Sequence, residues 1–125
     1  MSSANISSIA THADPADLAA VRNNIFDGES IDRLYRGYGD GIQLLALTGR
    51  RIMMVERTAW AGRLALTSIP YGRVTAVSFL ADDDHPIDAA TTIGIRVASL
   101  SFEMHCADAA QASQAHDLIS WTMLY

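Results

Sequence analysis

Residues 41–79, GIQLLALTGRRIMMVERTAWAGRLALTSIPYGRVTAVSF, constrain the fold more than any other stretch of the chain. Two apolar runs of strand length, Ile42 to Leu47 and Ile52 to Val55, flank the turn residues Thr48-Gly49-Arg50, which is the pattern of a β-hairpin. Neither run alternates. Leu44-Leu45-Ala46-Leu47 and Ile52-Met53-Met54-Val55 are apolar on both faces, so the sheet they build needs cover on both sides. One cover is the core; the other has to be a helix, a terminus or a partner chain. After Glu56-Arg57 the segment Thr58-Ala59-Trp60-Ala61-Gly62 interrupts the pattern. Leu64, Leu66 and Ser68 then alternate with Ala65, Thr67 and Ile69, predicting a second hairpin with Trp60 near its tip. Pro70 cannot donate to a strand ladder, so Ile69-Pro70-Tyr71-Gly72 marks a corner. Beyond it, Val74 to Leu80 forms the next strand, with Val77 and Phe79 on one face.

Upstream, Asp14 is placed to cap a helix whose first residue is Pro15, where the missing N–H does no harm. Asp17 adds a favourable charge to the first turn, and Leu18, Val21 and Ile25, with Ala20 and Phe26, recur at helical spacing. Asp27-Gly28 ends the helix, which therefore spans 14–26. The Ser- and Ala-rich residues 1–13 read as a flexible tail, and residues 14–125 as a single domain. The first strand, about Ser30 to Arg36, sets Ile31, Arg33 and Tyr35 against Asp32, Leu34 and Arg36, an ambivalent pattern that suits an edge or half-exposed strand.

Downstream, a strand over about 89–98 points Ile93, Ile95 and Val97 inward. The next alternates Leu100, Phe102, Met104 and Cys106 against Ser101, Glu103 and His105, with Ala98-Ser99 as the hairpin turn between them. Asp108 caps a final helix, Gln111 three positions on completes a capping-box pattern, and Ala112, Ala115, Leu118 and Ile119 with Thr122 or Met123 make its apolar stripe.

The succession LTGRRIMMVER, a short glycine turn and SIPYGRVTAVSF resembles the bacterial pleckstrin-homology-like (PH-like) domains. There an LT-x-x-R strand pair is followed by an IPY-x-x-I/V-x-x-V corner. Gly28-Glu29-Ser30-Ile31 is similar to that family's GE-x-I lead into its first strand. The resemblance runs from about Gly28 to the C-terminus. It implies an α+β, mainly β fold: a strongly bent, seven-stranded antiparallel sheet or partly open barrel capped by a C-terminal helix. The helix at 14–26 is then an addition, whose apolar stripe lies on the sheet or on a second subunit.

Composition narrows the function classes. With 125 residues, 50% of them hydrophobic and 18% charged, the chain suits one packed domain rather than a disordered segment. A formal net charge of -5 disfavours nucleic acid as a partner, because such binding is largely phosphate neutralisation. All nine basic residues are Arg. The one cysteine, Cys106, permits no intrachain disulfide and reads as a small core residue; with no signal-peptide pattern and no long apolar run, the expected location is cytoplasmic.

No catalytic constellation emerges. His12, His85, His105 and His116 are scattered without a metal-ligand spacing, and no G-x-S-x-G elbow occurs. Gly37-Tyr38-Gly39-Asp40-Gly41 lacks the lysine of a phosphate loop, and Asp82-Asp83-Asp84 lacks the alternate spacing of a calcium loop. No metal, cofactor or small-molecule substrate is assigned, and the chain reads as noncatalytic.

The binding candidates are cationic and aromatic: Trp60 with Arg57 and Arg63 at the second hairpin, and Arg33 with Arg36 on the first strand. The leading expectation is a protein-interaction module that forms a homo-oligomer, because apolar surface exceeds what a minimal domain buries. The alternative is a peripheral binder of an anionic membrane surface or lipid headgroup through those Arg and Trp residues. A weaker third is a small-molecule pocket between the last helix and the sheet.

Overall fold

A computed structural model describes residues 9, 12–57 and 62–125. In chain order these hold α1 (Pro15–Arg22), β1 (Ile31–Arg36), β2 (Ile42–Thr48), β3 (Arg51–Arg57), β4 (Leu64–Pro70), β5 (Ala76–Leu80), β6 (Thr92–Val97), β7 (Leu100–His105) and α2 (Ala109–Leu124). Strands β1-β2-β3-β4 form one antiparallel sheet and β5-β6-β7 a second; the two do not close into a barrel. The corner after Pro70 is a single 3-10 turn, Tyr71–Arg73, which carries the chain from one sheet to the other.

The sheets are stitched at a second corner, where the Tyr38 N–H donates to the His105 carbonyl at 2.8 Å. Gly41 is needed there. Its φ is +93°, and a Cβ would collide with the backbone carbonyl of Glu103.

The two-sided strands have a core on each side. On the inner side Ile42, Leu45, Leu47, Ile52 and Met54 pack with Ile93, Ile95 and Met104 of the second sheet and with Ala112, Ala115 and Ile119 of α2. On the outer side Leu44, Ala46, Met53 and Val55 pack with Leu34 and with Val21 of α1. The cover required by the sequence is therefore α1 of the same chain. Ile9 and Ala13, which fall in the predicted tail, pack against this outer cluster. The rest of that tail, residues 1–8 and 10–11, lies outside the described residues.

Several expectations need correction. The helix predicted over 14–26 stops at Arg22: Asn23 follows in the C-cap, and the Asn24 side chain bonds the Ala20 carbonyl at 2.7 Å. Short amide side chains of this kind compete for backbone groups and end helices. Phe26, assigned to the helix stripe, is exposed.

The first strand does lie at the edge of its sheet, as its pattern suggested, but it is not half-exposed at its centre, because Leu34 and Tyr35 are buried on opposite faces. A bulge between Ile31 and Arg33 moves Ile31 onto the Leu34 face, against the strict alternation read from the sequence. A matching bulge between Ile42 and Leu44 places Ile42 and Leu45 together in the inner core. Leu100 is 61% exposed rather than inward, since it follows the tight turn at Ala98, whose φ is +54°. The strand predicted over 89–98 starts only at Thr92, after a 3-10 turn at Ile87–Ala89.

Candidate functional site

Two places concentrate side-chain chemistry in the first sheet. The register β1-β2-β3 sets Arg36 opposite Leu44 and Leu44 opposite Val55, so the ends of β1 and β3 bring Arg36 and Arg57 to the same end of the sheet. They line a cleft of about 210 Å³ with Asp14, Asp17, Tyr38 and Gln43. Arg57 Nη2 lies 2.8 Å from Asp17 Oδ1 and 3.2 Å from Asp14 Oδ2. The Arg36 guanidinium stacks 4.8 Å from the Tyr38 ring centre, and Gln43 Nε2 donates to the Gly39 carbonyl at 2.7 Å, bracing the loop. Burial raises the pKa of the Asp17 carboxyl, Arg57 pulls it back, and the Asp14 charge adds to the rise.

Two guanidiniums thus face two carboxylates. An anionic ligand would have to compete with the first turn of α1 for Arg57, so the cleft is a balanced ion-pair site rather than an open anion trap. The sequence showed Asp14 and Asp17 only as a cap and a first-turn charge; nothing in local spacing signals a partner 40 residues away.

Of the remaining candidates, Arg33 is half-buried opposite Leu47, three residues up the strand from Arg36, and does not line the cleft. Arg63 is exposed just before β4. Trp60 lies outside the described residues.

The second place joins all three sequence motifs. Arg51 grips Glu29 through both carboxylate oxygens, Nε to Oε2 at 2.9 Å and Nη2 to Oε1 at 2.8 Å. It also donates to Ser68 Oγ at 2.9 Å and to the Asn24 carbonyl at 2.7 Å, with its guanidinium 4.5 Å from the Phe26 ring centre. Thr48 Oγ1 donates to Glu29 Oε2 at 2.9 Å, and the Thr48 carbonyl accepts from the Tyr71 hydroxyl at 2.7 Å. The Glu29 side chain is 5% exposed and that of Arg51 13%, so the cluster is closed to solvent-borne ligands.

The arginine hydrogen bonds foremost, opposed by desolvation and aided by the Phe26 N–H and Thr48, hold the Glu29 carboxyl down to about 2. Burial pushes the Tyr71 hydroxyl up to about 12. Glu29 of GE-x-I, Thr48 and Arg51 of LT-x-x-R, and Tyr71 of IPY are one hydrogen-bonded joint, and its role is architectural.

The nucleophile and metal readings are testable against geometry among the described residues. Cys106 is buried and its thiol is pushed up to about 11 by burial, so it is held in the unreactive protonated form. Among these residues no three His, Cys, Asp or Glu side chains are grouped to hold a metal ion, and no helix is long and apolar enough to cross a membrane.

Neither a protein-family profile nor a curated protein matches the chain. Solved structures do. A pleckstrin homology domain from Shewanella amazonensis aligns with a TM-score of 0.62 at 18% identity, covering 90% of this chain and 100% of that one. A protein with a pleckstrin-homology domain from Shewanella loihica gives 0.57 at 16% identity, covering 89% and 98%. The C-terminal domain of an unknown protein from Leishmania infantum gives 0.57 at 16%, covering 79% and 88%. Built of four strands, a corner, three strands and a C-terminal helix, and superposing on the two Shewanella structures over about nine-tenths of its length, the chain has the pleckstrin-homology-like fold.

Proposed function

We propose that the chain is a noncatalytic PH-like module that works through protein contacts and self-associates along the free edge of β4. The observation that carries this reading is the edge itself. Strand β4 is the last of its sheet, pairs with β3 over seven residues without a bulge, and has no charged residue from Leu64 to Pro70. Long, flat, uncharged edges are templates for pairing with another strand. By contrast β1 is bulged and carries Asp32, Arg33 and Arg36, β7 carries Glu103 and is stitched to Tyr38, and β5, though uncharged and unbulged, pairs over only five residues and packs on α2 through the Phe79–His116 stack.

Since α1 already covers the outer core, the apolar face of the first sheet is satisfied within one chain, and within that sheet the β4 edge is left for a second copy. Light scattering after size exclusion tests this. The expected result is a mass at a multiple of 13.5 kDa that falls toward one chain in Thr67→Lys, which places a charge in mid-edge. A single-chain mass for the unaltered protein at high micromolar concentration overturns it.

The alternative, an anionic membrane or lipid-headgroup binder, gains from the meeting of Arg36 with Arg57 and loses from the two carboxylates already on Arg57. Vesicles of anionic lipid at low salt decide that reading: no cosedimentation removes it.

A further inference from the structure

The net negative charge of this protein arises in one half of the chain. Residues 1–70 carry seven Asp or Glu and seven Arg, whereas residues 71–125 carry seven Asp or Glu and only Arg73 and Arg96, which accounts for the whole net charge of -5. The second half also exposes large apolar groups. Trp121 is 65% exposed and stacks on Tyr125, itself 85% exposed, with ring centres 4.3 Å apart; Leu124 and Ile87 are exposed as well.

Ile87 and two of the carboxylates, Asp88 and Asp117, line a groove of about 360 Å³ between the 3-10 turn Ile87–Ala89 and α2, together with Phe79 and Ser113, and Trp121, Leu124 and Tyr125 follow further along α2 and at its end. Phe79 is fixed as one wall by stacking on His116, with ring centres 3.9 Å apart. Asp88 and Asp117 approach from different elements, and Trp121 stands one helical turn beyond Asp117. No arginine lines the groove.

We infer that this groove and the Trp121–Tyr125 pair form a docking surface for a segment of a partner protein that is both cationic and apolar. Its guanidinium or ammonium groups would pair with Asp88 and Asp117 and lie over the Trp121 ring, and its apolar residues would cover Ile87 and Leu124. Charge selects this occupant over an anionic membrane or nucleic acid. No arginine lines the wall, and although His116 Nδ1 lies 3.0 Å from Asp117 Oδ1 and His85 Nδ1 2.8 Å from Asp84 Oδ1, the acidic balance of this half, with Asp82 and Asp83 in the loop before the turn, still repels either. The surface belongs to the β5–β7 half, so it is independent of self-association through β4, and its failure would leave that reading untouched.

The test uses a short fluorescein-labelled peptide of alternating arginine and leucine, followed by anisotropy on the full chain at low salt. Binding should be salt-sensitive, and Asp88→Asn with Asp117→Asn should weaken it about tenfold, as expected for losing two partly exposed charge pairs. Trp121→Ala should weaken it comparably, through the lost cation–π and apolar contact. Asp82→Asn with Asp83→Asn removes the same charge outside the groove and should weaken binding by distinctly less, the gap between the two double variants widening as salt rises toward about 0.15 M, where screening shortens to about 8 Å. All five positions are on the surface, so the fold should survive, and circular dichroism verifies this. Equal losses in the two double variants, an unaffected Trp121→Ala, no binding at all, or equal binding of a glutamate–leucine peptide would each overturn the inference. A second copy as the true occupant would show as a fall in oligomer mass for Trp121→Ala without any peptide binding.

Discussion

Glu29 and Arg51 form a two-point ion pair, 2.8 and 2.9 Å, that ties the segment after α1 to the start of β3. The pair also organises its neighbours: Thr48 and Ser68 bond to the same two side chains, and Tyr71 reaches the Thr48 carbonyl from the corner between the sheets. Three segments far apart in sequence are held at one point, which explains why short motifs at 28–31, 47–51 and 69–71 suffice to mark the fold.

Removing one member of such a closed pair strands the other. Arg51→Met is expected to lower unfolding free energy by about 3 kcal/mol, and Glu29→Gln by somewhat less because it keeps hydrogen-bonding capacity. A double variant, Glu29→Leu with Arg51→Met, should lose less than the sum of the single changes. Urea unfolding followed by circular dichroism measures all of these.

The same pair sets an acid limit. Because the Glu29 pKa is held near 2 in the folded chain against an ordinary 4.5, the folded state prefers the ionised form. Its contribution is present above pH 4.5 and is lost as pH falls through about 2. Asp17 and Glu56 act in the opposite sense. Their pKa values are raised, chiefly by burial, so protonation favours the fold and their contribution fades as pH rises through the raised value. Unfolding free energy measured from neutral pH downward should therefore fall more gently in Glu29→Gln than in the unaltered chain, and a parallel pair of curves would contradict this.

Cover by α1 in the same chain makes Val21 a core residue. Val21→Asp should cost about 3 kcal/mol by burying an unpaired carboxylate or ejecting the helix. Hydrogen exchange should then show early loss of protection in α1 and on the outer face of β2 and β3, while β6 and α2 retain theirs.

Two glycines with positive φ separate backbone strain from collision. Gly39 has φ +69° with open space beyond, so Gly39→Ala should cost about 1 kcal/mol through the left-handed backbone alone. Gly41→Ala meets the Glu103 carbonyl as well and should cost about 3 kcal/mol, loosening the corner where Tyr38 bonds His105. Thermal unfolding of the two variants gives the comparison.

Much of the fold was legible because its elements are marked locally. The uninterrupted apolar runs in β2 and β3 announced two-sided burial, Pro70 announced the corner, and Asp14-Pro15 and Asp108 announced both helix starts, where each Asp side chain does accept the expected backbone N–H. What escaped depends on distant partners. The bulges at Ile31 and Ile42 follow from pairing register, which alternation along one strand cannot show.

The ion pairs of Arg57 with Asp14 and Asp17 span a folded sheet, and Arg51 stands in the LT-x-x-R motif with nothing local to name Glu29 as its partner. Among the five residues singled out for binding, Arg36 and Arg57 share a cleft, but its opposing carboxylates, Asp14 and Asp17, were legible only as a helix cap and a first-turn charge. The acidic groove at Asp88 and Asp117 was missed because its charges are 29 positions apart and become neighbours only when α2 folds back over the second sheet.

The most direct test of edge pairing is hydrogen exchange of the β4 amides across a protein concentration series. Pairing with a second copy predicts that amides between Leu64 and Ile69 slow as concentration rises, while those of β6 stay constant, and that Thr67→Lys abolishes the slowing. Exchange in β4 that is rapid and independent of concentration would contradict the account, leaving the edge a solvated border of a solitary domain.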